Sequence, residues 1–404
     1  MNMTLCSRWQ FVEFKEIIEH SAFGPRFGGE LYSDNGNVAT LRTTDLSPHG
    51  EISYGSMPLA RIDENKFANH FLRPGDLVIS RSGRIGTTAI FDGFDLPVLP
   101  GAFLIRFRLN SEANPHFYRY YFNSPMGRSL ILSVARGAAQ QNINISNVQL
   151  LKVPFPPKRE QEGILEILSA YDDLIENNRR RIALLEEAAR LLYREWFVHL
   201  RFPGHEHATI NDSLPQGWEP LTLGALVDVV KDTVKPGDFA EDEVHIGLEH
   251  IPRRSFTLAD WEPAEALASG KNRFAKGDII FCKIRPYFHK VGFTIRSGLA
   301  SSDAIVWRVK EQRDWPLVVC ATSSDHFVAV ASKTVREGSK MPRADEKVLL
   351  KYVIPRPPAG LLSIFNENIL PITEQCKCLA LQNRALAQAR DLLLPRLMNG
   401  EIAV

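Results

Sequence analysis

Gly137–Pro157, GAAQQNINISNVQLLKVPFPP, has a counterpart 201 residues further on at Gly338–Pro358, GSKMPRADEKVLLKYVIPRPP. Gly137 matches Gly338, Val153 matches Ile354, and Pro154, Pro156 and Pro157 match Pro355, Pro357 and Pro358. Working outward, PGDLVISR (Pro74–Arg81) echoes KGDIIFCK (Lys276–Lys283) at a shift of 202, and Trp9 in RWQFVEFKEII corresponds to Trp218 in GWEPLTLGALV. Self-similarity on this scale makes the chain two copies of one plan, with loop insertions accounting for the changing offset.

Each copy has two parts. The first carries short β-rich runs such as LVIS, AFLIRF, DIIFC and AIVWRV, separated by Gly, Pro and Asp turn signals, plus helical patches such as PHFYRYYFNS, which is the pattern of a compact α+β domain. The proline cluster then ends strand structure and admits a helix start. In the helix that follows, Ile164, Leu168, Tyr171, Ile175, Asn178, Ile182, Leu185, Ala189, Leu192 and Trp196 alternate at spacings of 4 and 3, the seam of a coiled coil. Shifted by 201, the seam returns as Phe365, Ile369, Ile372, Cys376, Leu379, Asn383, Leu386, Arg390, Leu393 and Leu397, with Pro371 expected to kink the second helix or delay its start. Two seams without other partners pack on each other, and an antiparallel register about a pseudo-dyad sets Asn178 opposite Asn383 and Tyr171 opposite Arg390. The expected organisation is a first globular domain over 1–157, a helix over 158–200, a linker over 201–212, a second globular domain over 213–358 and a second helix over 359–404.

Composition narrows the chemistry. The 404 residues exceed one ordinary core, and 44% hydrophobic with 24% charged residues is the balance of a folded chain. Lys plus Arg number 48 against 47 Asp plus Glu, so any nucleic-acid surface is local. Five scattered cysteines, with no CxxC pair, exclude a disulfide framework and a cysteine zinc site. No signal-peptide pattern and no run of about 18 apolar residues occurs, so a cytoplasmic protein with no membrane association is expected. GxxxxGK[ST], GxGxxG and the Asn/Asp-Pro-Pro-aromatic segment of amino-methyltransferases are all missing. Asp278 and Lys283 do not make a nuclease site, because Phe281 stands where a second acid would be needed; both Gly-Asp pairs are expected to be turns before buried strands. His205, Glu206 and His207 in the linker are expected to be solvated.

The segment PPKREQEGILEILSAYDDLIENNRRRIALLEEAARLLYREWFVHLRFPG, with its Pro-Pro…Glu160-Gln161 opening and REWF exit, resembles the first helical region of the specificity (S) subunits of type I restriction-modification systems. SLPQGW at Ser213 resembles the start of that family's second target-recognition domain, while Ala359–Leu362 departs from the Glu-Gln opening in the second copy. The resemblance implies a non-catalytic reader of double-stranded DNA: two α+β target-recognition domains, joined by two long helices in an antiparallel coiled coil, each read one half of a bipartite asymmetric target. The helices would hold the domains about 50–60 Å apart, judged from helix rise, and dock adenine-N6 methyltransferase (M) subunits, two of them, with a restriction/translocase (R) subunit completing the complex. No cofactor is expected on this chain; S-adenosylmethionine, ATP and Mg are implied for the partners. The alternatives are a coiled-coil scaffold for proteins alone, and a nuclease or methylase with unrecognised motifs.

The residues themselves offer DNA contacts. Both globular parts are mildly cationic and the helices are not, with 15 cations against 13 acids in 1–157 and 7 against 9 in 158–200. Cations cluster as Arg81 and Arg84 in SRSGRIG; as Lys271, Arg273, Lys276, Lys283, Arg285, His289 and Lys290 around Tyr287; and as Lys333, Arg336, Lys340 and Arg343, a pattern suited to phosphate contact. The run RGAAQQNIN (Arg136, Gln140, Gln141, Asn142, Asn144) is the candidate base reader of the first domain, since Asn and Gln match an adenine edge and Arg matches guanine. The plain alternative is a polar surface loop. Arg179, Arg180 and Arg181 are expected to be an exposed helix face balanced by Glu176, Glu186 and Glu187.

Overall fold

A computed structural model of the protein describes residues 9–47, 50–135, 142–211, 214–235, 238–240, 242–264, 269–334 and 341–404. The chain forms two compact units, Met1–Asp173 with Ala387–Val404, and Leu174–Leu386. Both long helices thus change unit partway along their length.

The repeat is visible in the strand pairings. In the first unit, Gln10–Glu13 pairs antiparallel with Lys152–Phe155, Val12 opposite Val153; in the second, Glu219–Thr222 pairs with Val353–Arg356, Leu221 opposite Ile354. Each ladder begins one residue after the matched tryptophan. Pro154 and Pro355 lie within these strands, contrary to the expectation that the proline cluster ends strand structure. A ladder of two strands leaves alternate N–H groups unused, and a proline is tolerated there. The remaining prolines lead straight into the helices.

Each unit carries a sheet built around a matched antiparallel hairpin, and in the second unit one edge strand, Thr257–Leu258, joins it in parallel. The first has Ile18–Phe23, Leu104–Leu109, Asp76–Ser80 and Thr88–Phe91, in that spatial order. The second has Val227–Val229, Ala304–Val309, Ile279–Cys282, Val291–Thr294 and Thr257–Leu258. A second sheet lies beside each, built around a parallel pair: Val38–Leu41 with Val98–Pro100, and Val244–Ile246 with Gly298–Ala300. Two helices follow the last long strand in each copy. Pro115–Asn123 is capped by Asn114 and Pro125–Ser133 by Ser124; in the second copy Trp315–Thr322 has no side-chain cap and Asp325–Lys333 is capped by Ser324.

The Gly-Asp pairs are turns, as expected, and they also anchor the sheets. Gly75 and Gly277 adopt φ of 89° and 90°, a conformation that favours glycine. The following aspartate accepts from the backbone N–H three residues earlier, Arg73 or Ala275, and takes a bidentate arginine from the neighbouring strand, Arg108 or Arg308. Asp76 is 1% exposed and lies 4.0 Å from Arg106, itself 2% exposed.

The first long helix runs Lys158–Tyr193 and continues as a π-helical turn over Arg194–Val198. Its extra residue per turn helps bring both Trp196 and Phe197 into the core, where they meet Phe365 at 5.6 and 4.9 Å between ring centres. The second helix runs unbroken from Ala359 to Met398, so Pro371 does not delay its start. Pro371 is exposed, as is Glu367, whose carbonyl the proline leaves without its helical donor. No seam residue on either helix is exposed.

Within the first unit, Ile164 and Leu168 pack with Leu394, Leu397 and Met398, so the start of one helix meets the end of the other. Arg390 pairs with Asp172, the neighbour of Tyr171. In the second unit the Asn383 Nδ2 donates to the Ile175 carbonyl, one turn from the buried Asn178, and its Oδ1 has no partner among the described residues. The Glu160-Gln161 opening is structural. Trp9 Nε1 donates to Glu160, and the fully buried Gln161 accepts from the Asn114 N–H and donates to the Glu112 and Pro156 carbonyls. At the matching place Leu362 packs in the apolar core, an apolar solution to the same junction.

Asp76→Asn leaves the buried Arg106 without its counter-charge and should destabilise the first domain by about 3–5 kcal/mol. Urea unfolding followed by tryptophan fluorescence measures this; a change below about 1 kcal/mol contradicts the anchoring role.

Candidate nucleic-acid interface

The two matched hairpins each end in a cationic loop. In the first domain, residues 81–87 join Asp76–Ser80 to Thr88–Phe91, and Gly83 and Gly86 take the left-handed positions with φ of 70° and 80°. Arg84 is exposed at this loop, while Arg81 is half-buried with its guanidinium 4.5 Å from the Phe23 ring centre. In the second domain, residues 283–290 join Ile279–Cys282 to Val291–Thr294. Here Arg285 and His289 themselves are left-handed, with φ of 47° and 53°, on either side of the turn Pro286–Phe288. Non-glycine residues held in that region cost energy and persist where surrounding contacts over-determine them. The turn presents Arg285 and Tyr287, which is 55% exposed.

The described end of the candidate base-reading segment, and of its counterpart in the second copy, is bonded to the hairpin loop. The Ile143 N–H donates to the Arg81 carbonyl, and at the equivalent place the Ala344 N–H donates to the Lys283 carbonyl at 2.8 Å. Arg285 N–H also donates to the Pro342 carbonyl. The clusters separated by about sixty residues in sequence therefore share one edge. Asn142 and Asn144 are exposed there, although the Asn144 side-chain oxygen caps the short helix Ile145–Gln149 by accepting from the Asn147 N–H. Arg136, Gln140, Gln141, Arg336 and Lys340 lie outside the described residues.

Not every expected cation is free. Lys283 donates to the Ser302 carbonyl, Lys290 to the Leu248 carbonyl, and Arg343 pairs with Asp303 at 3.0 Å. Burial lowers the pKa of Lys290 from the ordinary lysine range. Lys271 and His289 are buried, holding Ser269 and the Ser323 carbonyl, and Arg273 pairs with Glu243. Those three hold the domain together. Arg180 and Arg179 pair with Glu176 on an exposed helix face, as expected, whereas Glu186 and Glu187 pair with Arg190 instead of the arginine triple. His205 and His207 are exposed or half-exposed in the linker, with His205 Nδ1 on the Phe202 carbonyl.

Three features were missed in the sequence. Phe103 and Asp303 occupy equivalent places, since Leu104 pairs with Ser80 and Ala304 with Cys282. Phe103 is 54% exposed where the second domain has an ion-paired carboxylate. Arg253 stacks 4.1 Å from the Phe288 ring centre and Arg254 pairs with Asp325, adding two cations beside the 283–290 loop. Glu186, on the first long helix, is 2% exposed and accepts from the Ser255 hydroxyl and from the Phe256 and Thr257 N–H groups, while Arg190 donates to the Arg254 carbonyl. A helix carboxylate thus fixes the loop that presents Arg253 and Arg254.

What this arrangement can do is contact polyanions through exposed guanidinium groups and offer aromatic and amide edges beside them. Among the described residues no helix is long and apolar enough to cross a membrane.

The family described as "Type I restriction modification DNA specificity domain" matches residues 7–187. The MjaIX type I restriction enzyme specificity subunit of Methanocaldococcus jannaschii is 25% identical over 310 residues, 71% of this chain and 69% of that one. The HindI specificity subunit of Haemophilus influenzae is 24% identical over 338 residues, 67% of this chain and 73% of that one. The solved S subunit of a type I restriction-modification system from M. genitalium covers 98% of both chains at 16% identity, with a TM-score of 0.54, and shares the fold. The chain is thus similar to the specificity subunits of type I restriction-modification systems, through the family domain matched at residues 7–187 and through relatives at about a quarter identity.

Burial raises the Glu186 pKa despite the donors at Ser255, Phe256 and Thr257 and the Arg190 guanidinium 3.4 Å away. A raised folded-state pKa gives stability that is full below the unfolded value and falls as pH rises through the folded one. Glu186→Gln keeps an acceptor without titrating, so its melting temperature should gain on wild type as pH rises from about 4.5 to 8. A constant difference across that range contradicts the assignment.

Proposed function

We propose that the chain is the non-catalytic DNA-reading subunit of a type I restriction-modification complex. Each globular domain reads one half of a bipartite target through its hairpin loop, 81–87 or 283–290, and the segment bonded to it. The observation that carries this reading is that equivalent edges of the two domains present different side chains: Arg81, Arg84 and Phe103 in one, Arg285, Tyr287 and Asp303 in the other. Different edge chemistry on a repeated backbone makes the target asymmetric. A protein-only scaffold leaves these exposed cations without a task.

The long helices set the spacing and dock the methyltransferase subunits, two per chain by the pseudo-repeat. Exposed leucines support docking, above all Leu184 at 71%, Leu392 at 75% and Leu381 at 49%. Adenine-N6 methylation with S-adenosylmethionine, and translocation and cleavage with ATP and Mg, belong to the partner subunits, including a restriction/translocase subunit. The complex works on chromosomal DNA, which places it in the cytoplasm.

Arg84→Gln and Arg285→Gln test the interface in the complex of the full chain with its methyltransferase partner. Both side chains are exposed, so folding is unaffected. Each variant should weaken DNA retention, and each lost phosphate contact should reduce the slope of log affinity against log salt by about 1. Unchanged affinity and slope in both variants would remove these loops from the interface.

A further inference from the structure

One cluster in the second domain has no part in the reading above. His245 lies on the strand Val244–Ile246, directly opposite Glu262 on the edge strand Glu262–Pro263, and His250 closes the turn that follows His245. His245 Nδ1 is 2.9 Å from Glu262 Oε1, and the two imidazole rings stand edge to face, 6.2 Å between centres at 87°. One ligand atom from each of the three residues lies within 4.8 Å of the others, and this is the one such cluster among the described residues.

The geometry points to a binding site for a divalent transition-metal ion of the zinc class, held by His245, His250 and Glu262. Two observations agree, at a histidine that is 5% exposed and meets Glu262 through Nδ1. The 2.9 Å separation of His245 and Glu262 is close to the roughly 3.0–3.5 Å between neighbouring ligands on an ion with bonds of about 2.0–2.2 Å. Two imidazoles with one carboxylate make a donor set for zinc, and leave a fourth position for water or an anion.

The third ligand closes by a small movement. His250 Nδ1 accepts the Gly247 N–H at 2.9 Å. Coordination through the other ring nitrogen requires a proton on Nδ1, so the turn 247–250 must give up that bond as the ring swings inward. The ion would tie this turn to the edge strand. Leu248 in the same turn supplies the carbonyl that holds Lys290, beside the candidate interface. The site itself stands independently of DNA reading.

Metal-stripped full chain titrated with Zn²⁺ against a chromophoric chelator tests this. One equivalent should bind saturably. His250→Gln and Glu262→Gln, both at accessible positions and checked for native circular dichroism, should each lower the affinity at least about tenfold. The linker double variant His205→Asn/His207→Asn should bind as wild type. Absence of saturable binding overturns the proposal, as does binding that survives in His250→Gln and Glu262→Gln or disappears in the linker variant.

Discussion

A helix with a single apolar seam cannot be stable in water by itself, and this chain contains two. Covering one seam with the other determines how both domains are completed. The core of the first unit takes Ile164 and Leu168 from the first helix and Leu394, Leu397 and Met398 from the second. The core of the second takes Ala189, Tyr193, Trp196 and Phe197 from the first helix and Leu362, Phe365 and Ile369 from the second. Neither globular domain is finished by its own repeat. The aromatic cluster at the REWF exit, with Trp218 5.4 Å from Phe197, welds the junction between first helix and second domain. Polar atoms inside the seam, such as the Asn383 Oδ1 that has no partner among the described residues, cost stability and suit a device that sets register.

Much of the architecture was legible because it follows from backbone pairing. Val153 and Ile354 match in sequence, and each is the residue that pairs across the ladder next to its tryptophan. The Gly-Asp turns were readable as turns for the same reason, although their bidentate arginines, 32 and 30 residues downstream, carry no local signal. Charge clustering located the hairpin loops but could not sort them. Lys271 and Arg285 look alike in sequence, and only the sheet shows that one is buried against Ser269 and the other exposed.

What stayed hidden depends on distant partners. Glu186 reads as one of several acids on a helix face; its burial arises because the loop at Ser255–Thr257 folds over it. His245, His250 and Glu262 have no motif spacing and meet because strands pair. The second sheets, made of strands as short as two residues, leave almost no periodicity to read. Phe103 and Asp303 become comparable only once the register of the long strands is known.

Function follows from repetition with variation. A shared frame places two loops equivalently, and the side chains on those loops differ, so a split target with unlike halves is expected under the proposed function. The most direct measurement is base-resolution adenine methylation in cells carrying the methyltransferase partner, with this chain intact and with residues 81–87 exchanged for those of a relative. The account predicts a split methylated motif in which the exchange alters one half and leaves the other. Methylation that is independent of the chain, or a motif changed in both halves by the single exchange, would contradict it.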